Sequence, residues 1–321
     1  MKKLNIALLS GGVSSEREIS IKSGDQVYAA FNREKYRVTK YDPKTDLNRL
    51  VADAPGIDVA FIAMHGSMGE DGTIQGLLDL LDIPYQCSGV LGSAMAMNKL
   101  VAKQRYESSG IPVPPYIVID SSVAIDPDDC AARLGLPIIV KPVAGGSSLG
   151  MSKVHKKNSL QNAVDSALEH DDMVLLESNI EGVELTVGII GSTTLDALPV
   201  IEIIPDKQFD FFDHTAKYLE GATREICPAR IDAALAEKAQ SYAKAAHNAL
   251  FCSGYSRTDM ILREKDIYLL ETNTIPGMTS TSLFPLAAGK AGLSFDKLLD
   301  LLIELGIEDH KKKQRRDKEI I

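Results

Sequence analysis

The chain has 321 residues, 45% hydrophobic and 25% charged, the balance of a soluble globular protein with about two or three domains. Its net charge of −9 argues against a general nucleic-acid binder, which is normally basic, and admits an anionic nucleotide only where local cations and a metal offset the field. No apolar run approaches the ~18 residues of a membrane span, and Cys87, Cys130, Cys227 and Cys252 form no Cys-x-x-Cys pair, so reduced thiols in a cytoplasmic protein are expected.

Met1-Lys2-Lys3 followed by the apolar stretch 4–9 mimics a signal peptide, but the stretch is too short and runs straight into Gly11-Gly12 and Glu16-Arg17-Glu18. It reads as a first buried strand. Ser15 with Glu18 forms a capping box that opens a helix toward residue 31. A second buried strand spans 58–64 and ends at His65-Gly66, and 73–81 is an amphipathic helix. This alternation predicts a parallel α/β domain over 1–97 with ligand loops at strand ends.

The texture changes at residue 98. A helix carrying Lys99 and Lys103 ends at Ser109-Gly110, and the proline-rich 111–115 leads into a strand at 116–119. Two prolines so close to the strand suggest an edge or a boundary. A strand at 137–140, a glycine-rich loop at 144–150, a helix near 159–169 and a strand at 173–177 complete a smaller α+β domain, 98–183. The third domain, 184–309, has strands near 184–191 and 198–204, a polar-aromatic loop at 205–222, a helix at 232–250, a hairpin and a closing helix near 294–305. The basic residues 310–316 within the tail 310–321 read as solvated and frayed.

The hairpin carries the most chemistry. Its strands, 255–262 and 267–273, flank the polar turn 263–266. Side chains alternate faces, so Arg257 shares a face with Asp259, and Glu271 with Asn273. If the turn leaves an odd number of residues unpaired, Asp259 lies opposite Glu271 and all four share one face. Two carboxylates and an amide oxygen then make an oxygen cage for a hard divalent cation, with no lysine beside them, and Mg²⁺ usually brings phosphates with it. Beyond the hairpin, Ile275-Pro276-Gly277 makes a turn whose Gly277 N–H can point at a developing oxyanion.

Other motifs are weaker alone. The loop 144–150 follows Lys141, and its consecutive N–H groups with Ser147 and Ser148 suit phosphate oxygens, but it is not a Walker sequence. An ordinary flexible loop fits it equally well. Residues 174–180 read as a buried strand and its exit. The loop 205–222, with Lys217 and Tyr218, has the length of a lid, although a surface loop anchored by aromatics has the same composition. His65 at a strand exit suits a ligand loop, and Glu16 in a first helical turn suits the helix dipole.

In order and spacing these motifs resemble the D-alanine–D-alanine ligases of the ATP-grasp superfamily, over about residues 4–308. The match is carried by Gly11 to Ser20, His65-Gly66, Gly69 to Gly76, Lys141-Pro142, Gly146 to Val154, Ala216-Lys217-Tyr218, Arg257-Thr258-Asp259 and Glu271 to Thr279. The resemblance implies a three-domain ATP-grasp architecture and an ATP-dependent ligation of two D-alanines through an acyl phosphate, for peptidoglycan synthesis. It implies that Lys99, Lys141, Lys217 and the Ser147-Ser148 loop contact ATP, and that Glu177, Ile180 and Glu184 hold adenine and ribose. Asp259 and Glu271 would bind one Mg²⁺ (or Mn²⁺), and Glu271 and Asn273 a second. Glu16, linked to Ser147 and Tyr218, would pair with the first D-alanine, with His65 nearby. Ser282 and Leu283 would take the second, and Arg257 and Gly277 would stabilise the oxyanion. A homodimer is the family expectation. Asn98, Asn179 and His214 depart from the common family residues. A ligase making D-Ala–D-lactate and a silent nucleotide-binding module are the alternatives; Lys217-Tyr218 speaks against the first, and the intact hairpin set against the second.

Overall fold

A computed structural model describes residues 2–122, 125–146, 149–205 and 223–320, with side chains through residue 315. The first sheet is parallel, in the order β2 (Tyr36–Tyr41), β1 (Leu4–Leu9), β3 (Val59–Ile62). Helix α1 (Arg17–Ala30) links β1 to β2, α2 (Leu47–Asp53) precedes β3, and α3 (Thr73–Leu80) and α4 (Val90–Met97) follow it. Residues 6–9 and all of β3 are buried, as strands covered on both faces must be. The expected strand 4–9 and helix 73–81 are present. β2 was not anticipated, since it is an edge strand whose middle is polar and largely exposed.

The expected capping box does not form. Helix α1 begins at Arg17 with Glu16 as its N-cap and no side-chain cap bond. Ser14, not Ser15, is the engaged serine: its Oγ accepts from the Glu16 N–H at 3.2 Å and donates to the His65 carbonyl at 2.6 Å. The loop is held by other means. Arg17 donates to the Gly12 carbonyl at 2.6 Å and pairs with Asp42 at 2.5 Å, and the Gly12 N–H donates to the same Asp42.

Helix α5 (Lys99–Ser108) is capped by Asn98, whose side chain accepts from the Val101 N–H at 3.0 Å. A four-stranded antiparallel sheet follows, ordered β4 (Tyr116–Asp120), β7 (Met173–Ser178), β5 (Ile138–Pro142), β6 (Ser152–Val154), with α6 (Pro127–Leu134) and α7 (Leu160–Leu168) supplying its core. β4 is an edge strand, as its preceding prolines suggested. Lys141 lies within β5 rather than past its end.

The third sheet runs β11 (Thr223–Ile226), β10 (Ile201–Pro205), β8 (Val183–Ile190), β12 (Tyr255–Arg263), β13 (Asp266–Asn273), with the short β9 (Asp196–Ala197) on β8. Helix α8 (Ala233–Ala249) packs on β8, β12 and β13, and Tyr106 of α5 donates to Thr272 Oγ1 at 2.7 Å, tying α5 to the hairpin. Helix α9 (Leu283–Lys290) and α10 (Phe295–Ile320) share one apolar core with the first sheet, in which Phe284, Leu298 and Leu302 join Leu8 and Phe61. Instead of fraying at 310, α10 continues to Ile320.

Candidate active site

The hairpin decides the site, and its register has an unanticipated cause. The turn is tight: Arg263 pairs with Asp266, so only Glu264 and Lys265 are unpaired, an even number. Continued without interruption, that register would set Asp259 opposite Leu270. A β-bulge between Asp259 and Met260 absorbs Leu270 as the extra residue, so Asp259 faces Glu271 and Arg257 faces Asn273. The four side chains share a face, through the bulge rather than the turn.

These groups line two cavities. The first, of about 280 Å³, is lined by Arg257, Glu271 and Asn273 from the hairpin, His65 and Glu70 from beyond β3, and Gly277, Ser282 and Leu283 at the start of α9. The second, of about 260 Å³, is lined by Lys141, Glu184 and Asp259. Glu16, Lys99, Gly145, Gly146 and Glu271 belong to both and form their common wall. Lys99 donates to the Gly145 carbonyl at 2.5 Å, which brings a lysine to the carboxylates that the hairpin sequence alone leaves without one.

Asp259 is buried. Arg257 Nε and Nη2 hold its two oxygens at 2.9 and 2.7 Å, and Thr186 donates to Oδ1 at 2.5 Å. Asn273 Oδ1 accepts from the Ile275 N–H at 2.9 Å. Asp259 Oδ1 thus carries two donors, while Asp259 Oδ2 and Asn273 Oδ1 carry one each and keep a further lone pair. Among the described residues no cluster of three His, Cys, Asp or Glu could hold a metal. Asp259, Glu271 and Asn273 offer oxygen donors of the kind a hard cation takes, too few to fill its shell without phosphate oxygens or water.

In the first cavity, a Cβ on Gly277 would lie 2.9 Å from Ser282 Oγ, so only glycine leaves that hydroxyl where it is. Ser282 Oγ also meets Thr279 through its N–H at 3.1 Å and its hydroxyl at 2.7 Å, which fixes the entry to α9. A Cβ on Gly66 or Gly146 would approach Glu16 Oε2 to 2.9 or 3.2 Å, so two loops close on this carboxylate. His65 Nε2 lies 3.1 Å from Ser23 Oγ, and burial pushes its pKa down despite Glu16.

Of the residues expected from sequence, Glu16, His65, Lys99, Lys141, Glu184, Arg257, Asp259, Glu271, Asn273, Gly277, Ser282 and Leu283 are brought to the cavities. Ile180 lines neither, and Glu177 sits behind Lys141, ion-paired with it at 2.9 Å. Ser147, Ser148, Lys217 and Tyr218 lie outside the described residues. Two groups escaped the sequence reading. Glu70, buried in the first cavity, accepts from the Gly66 N–H at 2.6 Å, and burial with the neighbouring Glu16 pushes its pKa up to about 8. Lys103 is wholly buried against Glu177. Their only signals were the acidic residue in the 69–72 turn and the one-turn spacing from Lys99.

Known proteins resemble this chain in sequence and in fold. The family described as D-ala D-ala ligase C-terminus matches residues 106–304, and D-ala D-ala ligase N-terminus matches 40–88. The chain is 57% identical to a D-alanine–D-alanine ligase of Syntrophobacter fumaroxidans over 96% of its own length and 99% of the relative's. It is 50% identical to one of Desulfotalea psychrophila over 98% of both. Its fold is similar to that of the Bacillus anthracis D-alanine–D-alanine ligase solved with ATP, with a TM-score of 0.85 and 34% identity over 97% of this chain and 99% of that one.

Proposed function

Because the chain belongs to the D-alanine–D-alanine ligase family, it is an ATP-dependent ligase joining two D-alanines, and we propose that its two cavities are the amino-acid and nucleotide halves of one active site. The observation that carries this reading is the common wall of Glu16, Lys99, Gly145, Gly146 and Glu271, where a group can pass from one half to the other. Residues 1–97 then serve mainly the amino acids, and 98–183 with 184–309 grip the nucleotide.

The first D-alanine sits with its ammonium on Glu16 and its carboxylate facing the common wall. A carboxylate oxygen attacks the γ-phosphorus of ATP, the bond to ADP breaks, and an acyl phosphate forms. Lys99 and Lys141 offset charge on the phosphates. Asp259 and Glu271 would hold one Mg²⁺ and Glu271 with Asn273 a second; bound there, the ions supply charge neutralisation at the transferring phosphoryl group. The second D-alanine, its carboxylate on Ser282 and the Leu283 N–H, attacks the acyl carbon through its neutral amine. The amide bond forms, phosphate leaves, and Arg257 with the Gly277 N–H steadies the oxyanion between these events. Glu184, which lines the second cavity, would hold the ribose; Ile180 and Glu177, which line neither cavity, keep the adenine role on the family resemblance alone. Ser147, Ser148, Lys217 and Tyr218 keep the roles the family resemblance gives them, on sequence grounds alone. The reading includes a cytoplasmic homodimer supplying a peptidoglycan precursor; light scattering of the purified chain tests the dimer.

ADP release by the purified chain, with ATP, Mg²⁺ and a panel of D- and L-amino acids and D-lactate, tests the whole. D-alanine alone should support turnover. A requirement for D-lactate would move the chain to the ester-forming ligases, and no release with any acceptor would leave only a nucleotide-binding module.

A further inference from the structure

Three charges are sealed together beside the nucleotide cavity. Lys103 stands one turn beyond Lys99 on α5, so the helix that brings one lysine to the cavity buries the next. Its Nζ lies 2.9 Å from Glu177 Oε1, and Lys141 Nζ lies 2.9 Å from the same oxygen. Lys141 reaches the cavity; Glu177 and Lys103 sit behind it, with Lys103 0% and Glu177 2% exposed. The Tyr116 ring centroid lies 5.7 Å from the Lys103 ammonium. Burial lowers the Lys103 pKa from its ordinary value, with Glu177 opposing that shift. Burial would raise Glu177, but the two lysines outweigh it and hold it below its ordinary value. With both ammonium groups 2.9 Å from one carboxylate oxygen, the geometry is that of two cations on one carboxylate.

We propose that Lys103 is a positioning residue for nucleotide binding: the permanent counter-ion of Glu177, which leaves the charge of Lys141 available to phosphate. The proposal rests on the second cavity being the nucleotide half. Without Lys103, Lys141 and Glu177 would form a neutral pair. Lys141 could then meet a phosphate only by abandoning a buried carboxylate, which is strongly unfavourable. With Lys103 in place, Glu177 keeps a partner whichever way Lys141 turns. The surplus positive charge, sealed from water and little screened by salt, acts on the cavity. Lys103 touches no substrate in this scheme and acts through Glu177 and Lys141.

The test is calorimetric binding of ADP and of adenosine to the full chain, for the parent, K103Q and K103R. K103Q keeps a hydrogen-bond donor but loses the charge. It should weaken ADP by on the order of ten- to a hundredfold, the range of a charged contact, and leave adenosine within about twofold. The KM for ATP should rise, with turnover at saturating ATP the less affected quantity. K103R should bind ADP as the parent does. Equal weakening of ADP and adenosine would show a merely structural lysine, and unchanged ADP affinity in folded K103Q would overturn the proposal outright. If circular dichroism shows K103Q unfolded, K103R decides, since a folded K103R with weakened ADP and normal adenosine contradicts a role carried by charge. A parent chain that binds no ADP at all would instead remove the nucleotide reading on which the proposal stands.

Discussion

Two charge clusters flank the common wall of the cavities, and they are built with opposite surplus. In the central sheet, Lys103 and Lys141 share one carboxylate, Glu177, two positive charges against one negative. In the hairpin, one guanidinium, Arg257, shares a face with two carboxylates: Asp259, which it meets at 2.7 Å, and Glu271. The first cluster is closed off behind Lys141, while the second opens into both cavities. Side by side they offer a way for a chain of net charge −9 to receive a polyphosphate in the proposed site. On the proposed reading, the local positive surplus would draw the anion and the local negative surplus would hold the cation that comes with it.

The largest expected effect comes from reducing the negative surplus. D259N and E271Q should each lower turnover at saturating ATP by on the order of 10³ or more, because charge stabilisation by a metal is worth several kcal/mol. ADP release across a Mg²⁺ titration measures this, and a loss below about tenfold would strike that carboxylate from the metal set. R257A separates the two tasks of the hairpin. It should cost about 10²–10³ in turnover as an oxyanion donor while calorimetric ADP binding persists. Unchanged turnover would remove Arg257 from the chemistry and leave it only as the partner of Asp259.

A third carboxylate sharpens the contrast. Glu177 is sealed with two cations and lies below its ordinary pKa, whereas Glu70 has no ion pair among the described residues and is pushed up to about 8. The folded chain therefore keeps the Glu70 proton up to about pH 8, while the unfolded chain releases it near 4.5. Unfolding releases a proton between those values, so this contribution to stability is complete below about 4.5 and is lost as the pH rises to about 8. The slope is at most about 1.4 kcal/mol per pH unit. The melting temperature of the ligand-free parent should fall across that window more steeply than that of E70Q. Parallel curves would mean that Glu70 ionises as if exposed.

Much of this was legible in the sequence where one local rule governs. Buried apolar runs gave the strands at 4–9 and 173–177, and the prolines before Tyr116 suggested an edge or a boundary. The hairpin face was anticipated, but not its means: nothing local to Leu270 announces a bulge, since register is settled by the partners of both strands together. The Ser15–Glu18 box failed because Ser14, Arg17 and Asp42 offer this loop other bonds. Lys103 was seen only as part of a helix. Its burial depends on Glu177, 74 positions away, and pairing across that distance leaves no trace in local pattern.

The smallest effect is expected where charges pair in solvent instead of in a sealed site. Beyond the family match, which ends at residue 304, α10 continues as a basic helix laid along the end of α3. His310 Nε2 lies 3.0 Å from Asp82, Gln314 donates to the same carboxylate at 3.0 Å, and Lys313 Nζ is 2.8 Å from Asp79. Lys312 donates to Thr193 at 2.9 Å, so the helix touches both the first sheet's layer and the third. Each of these pairs has an exposed partner, Asp82 or Lys313, and pairs open to solvent contribute about 0–1 kcal/mol each and weaken with salt. Ending the chain after Asp309 should therefore lower the melting temperature by only about 2–5 °C, less so in high salt, with turnover unchanged. A much larger drop, or one that salt does not reduce, would show that apolar packing rather than surface charge holds this helix, and would make the end of α10 part of the core that the first and third sheets share.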